Sequence, residues 1–218
     1  NTGPHQLDIA RWGLNKNEHP VSVYSTGGLY GLNRDESKPE NRTKGVMVYG
    51  DVEAYGFDKT TQETPNTQTC SYKYADGTLL EFECRGRFTN HEGFDGTEVG
   101  NLFYGKEGWL QISGDTWKAF RGRERVPFAG SKPVTEANPA PHYANFIDAI
   151  RAGRNEVLNC DIYEGFLSTA LPHLANISYR VGRSLRFVGD SEKFADDPEA
   201  DALLTRIYRI PYVVPDKI

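Results

Sequence analysis

The stretch Asn101-Leu102-Phe103-Tyr104-Gly105-Lys106-Glu107-Gly108-Trp109-Leu110-Gln111-Ile112-Ser113-Gly114-Asp115-Thr116-Trp117-Lys118-Ala119-Phe120-Arg121 decides the architecture. Three short runs rich in aromatic and branched residues, Asn101–Tyr104, Trp109–Ser113 and Thr116–Arg121, are separated by Gly105-Lys106-Glu107-Gly108 and by Gly114-Asp115. Spacers this short join only antiparallel strands, because a parallel crossover needs about a dozen residues or more. The spacing therefore predicts an antiparallel meander.

Upstream, Thr67–Tyr74 and Thr78–Arg85 flank Ala75-Asp76-Gly77 and read as a β-hairpin. The simplest two-residue turn, at Asp76-Gly77, places Cys70 opposite Glu83. Earlier still, Val21, Val23 and Ser25 alternate with Ser22, Tyr24 and Thr26, a strand with two unlike faces. Gly27 and Gly28 near its end either admit a close backbone approach or simply end it. Short strands are also expected at Val46–Tyr49 and Leu185–Val188. The polar stretches Leu32–Gly45 and Phe57–Asn66 read as loops. Tyr72, Tyr74, Phe82, Phe103, Tyr104, Trp109, Trp117 and Phe120 put aromatic rings on both faces of the strands, so the face left uncovered by helices is expected to meet another subunit.

Between Gly122 and Ala140 three prolines break any regular element. Pro141 then opens a helix through Ala152 with Gly153 as its stop and Tyr143, Phe146, Ile147 and Ile150 expected inward. A second helix runs from Asp161 to about Arg183. Asp161 caps it, Glu164 reaches back, and Pro172 predicts a kink. A short helix over Ala200–Arg206 precedes an apolar tail, Ile210 to Pro215, expected to lie along a surface.

The 218 residues suffice for a sizeable core. A net charge of −5 with both signs mixed along the chain shows no electrostatic footprint for nucleic acid or for an anionic membrane surface. The partner expected is a small molecule or a protein. No apolar run approaches a membrane span of about 18 residues. Cys70, Cys84 and Cys160 lack CxxC spacing, and the five histidines do not fall at metal-ligand spacings, so buried free thiols and no metal site are expected. The sequons at Asn41 and Asn176 read as chance matches. Neither GxGxxG nor GxxxxGK[ST] occurs, so no phosphate-cradling loop is expected.

The first twelve residues carry the candidate chemistry. In Asn1-Thr2-Gly3-Pro4-His5-Gln6-Leu7-Asp8-Ile9-Ala10-Arg11-Trp12, Pro4 suits the opening of a helix and His5 falls in its first turn. The positive end of a helix disfavours imidazolium, so a neutral ring able to accept a proton is the expected resting form. Leu7, Ala10, Arg11 and Leu14 form one stripe, and His5, Ile9 and Trp12 a second, which predicts a helix packed on two sides. Taken alone, the segment favours a helix-capping histidine without chemistry over a catalytic one.

The GxHxxD pattern of Gly3, His5 and Asp8 with the following Trp12, the run Gly105-Lys106-Glu107-Gly108-Trp109-Leu110, His142-Tyr143-Ala144-Asn145-Phe146-Ile147-Asp148-Ala149-Ile150 and the closing Asp201 to Tyr212 together resemble one family. It is the C-terminal domain of the glucose–fructose oxidoreductase, inositol dehydrogenase and MocA (Gfo/Idh/MocA) family. The resemblance implies an α+β fold, similar to the C-terminal domain of dihydrodipicolinate reductase. Its large open, mostly antiparallel sheet would carry helices on one face and make homo-oligomer contacts with the other. It implies that residues 1–218 form a substrate and oligomerisation domain, preceded by a Rossmann domain that binds NAD or NADP and supplies a catalytic lysine. No cofactor is expected on this chain alone. The chain starts without Met at the edge of a motif, which agrees with a preceding segment. By the same resemblance His5 is the active-site base, and Asn1 stands where many such dehydrogenases carry an aspartate. Asn1, Asn66 and His142 are candidate substrate-binding residues. Asp8 is expected to pair with Arg11 or the backbone. The implied activity is oxidation or reduction of a sugar or cyclic polyol, with an NAD-dependent glycoside hydrolase and a non-catalytic sugar-binding or assembly module as alternatives. The branch resembled most closely implies an exported bacterial protein.

Overall fold

The computed structural model describes residues 3–28, 65, 67–85, 97–123, 125–132 and 138–214. The expected loops over Leu32–Gly45 and Phe57–Asn66, the strand Val46–Tyr49 and the Asn41 sequon lie outside those residues, Pro65 excepted. The chain divides into two compact units, Asn1–Glu18 with Phe88–Pro172, and His19–Arg87 with His173–Ile218. The class is α+β with antiparallel sheets, as expected, and the described strands form two sheets.

In the first unit, helix α1 (Gly3–Leu14) is followed by β4 (Asn101–Tyr104), β5 (Gly108–Ser113), β6 (Thr116–Arg121) and β7 (Ala129–Gly130). The four strands pair in sequence order, every pair antiparallel. The meander forms where the spacing places it, and β7 adds a short strand within a stretch that reads as loop. Residues paired across a sheet share a face. Phe103, Leu110, Ala119 and Trp117 therefore lie on one side, and Leu102, Tyr104, Trp109 and Phe120 on the other. Trp109 stacks on Phe120 with centroids 3.8 Å apart. Helix α2 (Ala140–Ala152) ends at Gly153, whose φ of 63° is the left-handed cap expected of it.

In the second unit the sheet order is β3-β2-β1-β8-β9, from β1 (Ser22–Gly28), β2 (Thr67–Lys73), β3 (Leu79–Arg85), β8 (Leu185–Val188) and β9 (Lys193–Phe194). Val23, Ser25, Cys70, Tyr72, Leu80 and Leu185 are buried along one face. Tyr24, Thr69, Glu81 and Glu83 alternate with them and are exposed. The aromatic residues of the hairpin thus share a single face, with Tyr24 of β1 on the other, and the four-stranded sheet carries rings on both of its faces. Gly27 permits a close approach, since a Cβ there would overlap the carbonyl oxygen of Thr67.

The hairpin register differs from the simplest expectation. Tyr74 N–H bonds to Thr78 O across a three-residue loop, with Gly77 at φ 89°. This pairs Cys70 with Phe82 and Cys84 with Gln68. A three-residue loop ending in a left-handed glycine matches strand twist, as the two-residue alternatives do with a different register. All three cysteines are free, and only Cys70 is buried, so the expectation of three buried thiols fails for Cys84 and Cys160.

Helix α3 (Ile162–Val181) continues through Pro172, where the division into units falls, with Leu167, Leu171, Leu174, Ala175, Ile177 and Ser178 buried. Ser178 Oγ accepts the Ser25 N–H and donates to Arg183 O, tying the end of the helix to the five-stranded sheet. A final helix, α4, covers Pro198–Asp201, shorter than expected and capped by Asp197. The tail is not laid on the described surface: Ile207, Ile210 and Tyr212 are exposed. Among the described residues, no helix is long and apolar enough to cross a membrane.

Candidate functional site

The site is built on α1. Its first turn contains Pro4, which suits a position whose N–H has no partner. Leu7, Ala10 and Arg11 are buried at helical spacing. Gly13 sits against the ring of Phe103, where a Cβ would clash, so a glycine allows α1 to approach β4. Asn101 Nδ2 donates to Gln6 O at 2.8 Å, fixing the first turn against the same strand. Beyond the last turn, Asn15 takes a left-handed φ of 53° and Lys16 N–H bonds to Arg11 O.

The second apolar stripe does not pack. Trp12 is 82% exposed and His5 is exposed, with Ile9 half-buried between them. Helix α1 is therefore held from one side, and His5 points its ring at solvent. Two-sided packing requires a partner surface, and the described residues of this unit supply none to that stripe.

The buried side of α1 carries a charge. Arg11 is 2% exposed, and its Nη2 pairs with Glu164 Oε2 at 2.9 Å. Its Nη1 donates to Ser168 Oγ at 2.7 Å and to Glu164 O at 3.3 Å. Ser168 Oγ in turn donates to Asp8 Oδ1 at 2.6 Å. Asp8 thus joins Arg11 through Ser168, since its direct approach to Nη1 is 3.9 Å. Asp161 caps α3 as expected, accepting from Glu164 N–H. The Glu164 carboxylate goes instead to Arg11, because a buried guanidinium needs an anion more than a helix end does. Neither Glu164 nor Ser168 stood out as a site residue in the sequence; the only signal was a serine one turn after a glutamate on the inner side of α3.

Cys160 lies near this cluster. What burial it has, with the carboxylates of Asp8, Glu164 and Asp161, pushes its thiol up against the opposing pull of Arg11. It is not an activated nucleophile.

His142 lies in the first turn of α2, exposed beside Tyr143 with ring centroids 5.8 Å apart. Tyr143, Phe146, Ile147 and Ile150, expected inward, are exposed, and of α2 only Ala149 is buried. No hydrogen bond, ion pair or ring contact joins His142 to His5 among the described residues. Asn1 and Asn66 lie outside those residues. No group of three His, Cys, Asp or Glu side chains able to hold a metal occurs among them.

The family model for an oxidoreductase family, C-terminal alpha/beta domain, matches residues 51–214, most of the chain. The chain belongs to the Gfo/Idh/MocA oxidoreductase family. Helix α1 precedes the span on which this membership rests. Among solved structures, UDP-N-acetylglucosamine 3-dehydrogenase GnnA from Acidithiobacillus ferrooxidans is similar at 14% identity and a TM-score of 0.52, covering 82% of this chain and 46% of its own. An oxidoreductase from Erwinia carotovora atroseptica is similar at 16% identity and a TM-score of 0.51, with coverage of 82% and 46%. The WlbA dehydrogenase from Bordetella pertussis, in complex with NADH and UDP-GlcNAcA, follows at 14% identity and a TM-score of 0.49, covering 86% of this chain and 44% of its own. These likenesses concern the fold of a Gfo/Idh/MocA C-terminal domain, and the chain spans less than half of each relative's length. No curated protein matches the sequence.

Proposed function

We propose that this chain is the substrate and oligomerisation domain of an NAD(P)-dependent dehydrogenase that oxidises or reduces a sugar or cyclic-polyol hydroxyl/ketone pair. The observation that carries the reading is an exposed histidine in the first turn of a helix whose opposite side is clamped by a buried arginine, in a member of an oxidoreductase family. The name of the Acidithiobacillus relative, a dehydrogenase of a sugar nucleotide, supports a sugar as the substrate class.

The described residues do not fit a dinucleotide. Every described strand pair is antiparallel, and no parallel strand, glycine-rich turn and helix occur in succession to cradle a pyrophosphate. The cofactor belongs, on this reading, to a Rossmann domain preceding Asn1. What the chain itself contributes is the proton: when a hydroxyl carbon gives up its hydride, His5 accepts the hydroxyl proton, and it returns that proton in the reverse direction. Asn1 would offer a hydrogen bond to a neighbouring hydroxyl without adding charge, and His142 would be a further contact to the substrate. Association through the four-stranded sheet and export from the cell are parts of the proposal.

The experiment assays the full-length protein on a panel of sugars and polyols with NAD and NADP, beside His5→Ala. Cofactor reduction that falls at least a hundredfold in the variant supports the reading. Undiminished turnover in His5→Ala sinks the role of His5, and free sugar without net cofactor reduction would select the hydrolase.

A further inference from the structure

Arg11 is an expensive way to hold a helix. Its guanidinium is withdrawn from water, and its Nε–H is buried without a partner. Replacing such a buried ion pair by apolar side chains is often neutral or stabilising, so stability alone does not account for it. An ionic fork supplies direction instead. Leu7 and Ala10 bury apolar surface, an attraction that has no direction of its own. A planar guanidinium bonded at once to a carboxylate, a hydroxyl and a carbonyl accepts one orientation.

The network also reaches toward the histidine. Asp8 lies one turn beyond His5 on α1, and Ser168 bonds Asp8 and Arg11 together. Helix α1 is thus gripped on two successive turns by a single hydroxyl, while Asn101 holds the carbonyl of Gln6, next to His5. We propose that Arg11, seated by Glu164 and Ser168, is a positioning residue: it sets the rotation of α1 and so the direction in which His5 presents its ring to substrate. This rests on the reading of His5 as the proton acceptor.

The test uses the full-length protein with the cofactor and sugar that turn over best. Arg11→Met and Ser168→Ala are made alone and in the His5→Ala background, with the His5 ring followed by NMR and assigned from the His5→Ala spectrum. The expected result is a tenfold or greater fall in kcat for Arg11→Met, several-fold for Ser168→Ala, and an unmoved cofactor KM. Both losses should vanish in the His5→Ala background, because a residue that acts only through His5 has nothing left to position. Equal losses in both backgrounds, or kcat within twofold of the parent in folded variants, overturn the proposal. Should Arg11→Met fail to fold, Ser168→Ala bears the same outcomes. If His5→Ala leaves turnover unchanged, the functional reading fails first, and the NMR decides positioning by itself: a shifted or broadened His5 ring in Ser168→Ala sustains it, and an unchanged ring overturns it.

Discussion

Arg11 and Ser168 stand 157 residues apart in the chain and meet at 2.7 Å in the fold. The contact joins the helix that carries the candidate proton acceptor to the helix that follows α2 in the chain. Because Ser168 is itself buried and also bonded to Asp8, the pair is a joint of three side chains rather than a surface contact.

Ser168→Ala removes a hydroxyl that serves a buried guanidinium. Hydrogen bonds to charged groups contribute about 1.5–3 kcal/mol. The variant should lose about 2 kcal/mol in urea unfolding, whereas Thr169→Ala, one residue along and exposed, should lose less than about 1 kcal/mol.

His5→Ala separates chemistry from folding. An exposed side chain in a first turn contributes little to stability, within about 0.5 kcal/mol. The expected outcome is an unchanged melting temperature with turnover reduced at least a hundredfold in the full-length protein.

Gly27→Ala places a methyl group against the Thr67 carbonyl oxygen, at the next-to-last pair of the β1–β2 ladder, where backbone rather than a flexible side chain would have to yield. Overpacking of this kind costs about 1–3 kcal/mol. Urea titration should show that loss, while Gly165→Ala, which meets open space on helix α3, should be neutral or stabilising.

Burial pushes the Cys70 thiol up, opposed by its hydrogen bonds to Ser25 and Tyr72, and burial likewise pushes the Tyr72 phenol well up. Both acids are held neutral in the fold. Their contribution is complete below the ordinary thiol value of about 8.5 and is lost as pH rises through the folded values, because the unfolded chain releases its protons first. The urea midpoint should fall as pH rises above about 8.5, and Cys70→Ala should postpone the onset of that fall toward the ordinary tyrosine range near about 10. A thiol reagent at neutral pH should modify Cys84 and Cys160 and spare Cys70.

Tyr104 is 78% exposed on the face it shares with Leu102, Trp109 and Phe120. If that face meets a second copy, sedimentation of the parent should show association, and Leu102→Asp with Tyr104→Asp should abolish it. A parent that stays monomeric at high concentration removes the oligomer from the proposed function.

What the sequence determined by itself is local. Gly105 to Gly108 and Gly114-Asp115 are too short for anything but antiparallel turns, so the meander was legible from spacing alone, as were the glycine stop at Gly153 and the Asp161 cap. Burial was less legible. The apolar spacing of Tyr143, Phe146, Ile147 and Ile150 is that of an inward stripe, yet periodicity marks a face without saying what covers it, and these side chains are exposed. The hairpin register turned on whether two residues or three make the turn, a choice governed by the φ of Gly77 and invisible in residue types. The candidate site divides the same way. His5 and Asp8 stand out in the first turns of α1, but the anchor that holds them is made by Glu164 and Ser168, more than 150 positions away. Only tertiary structure decided that pairing, because a buried guanidinium takes whichever anion and hydroxyl the packing brings within reach, and sequence distance carries no record of that reach.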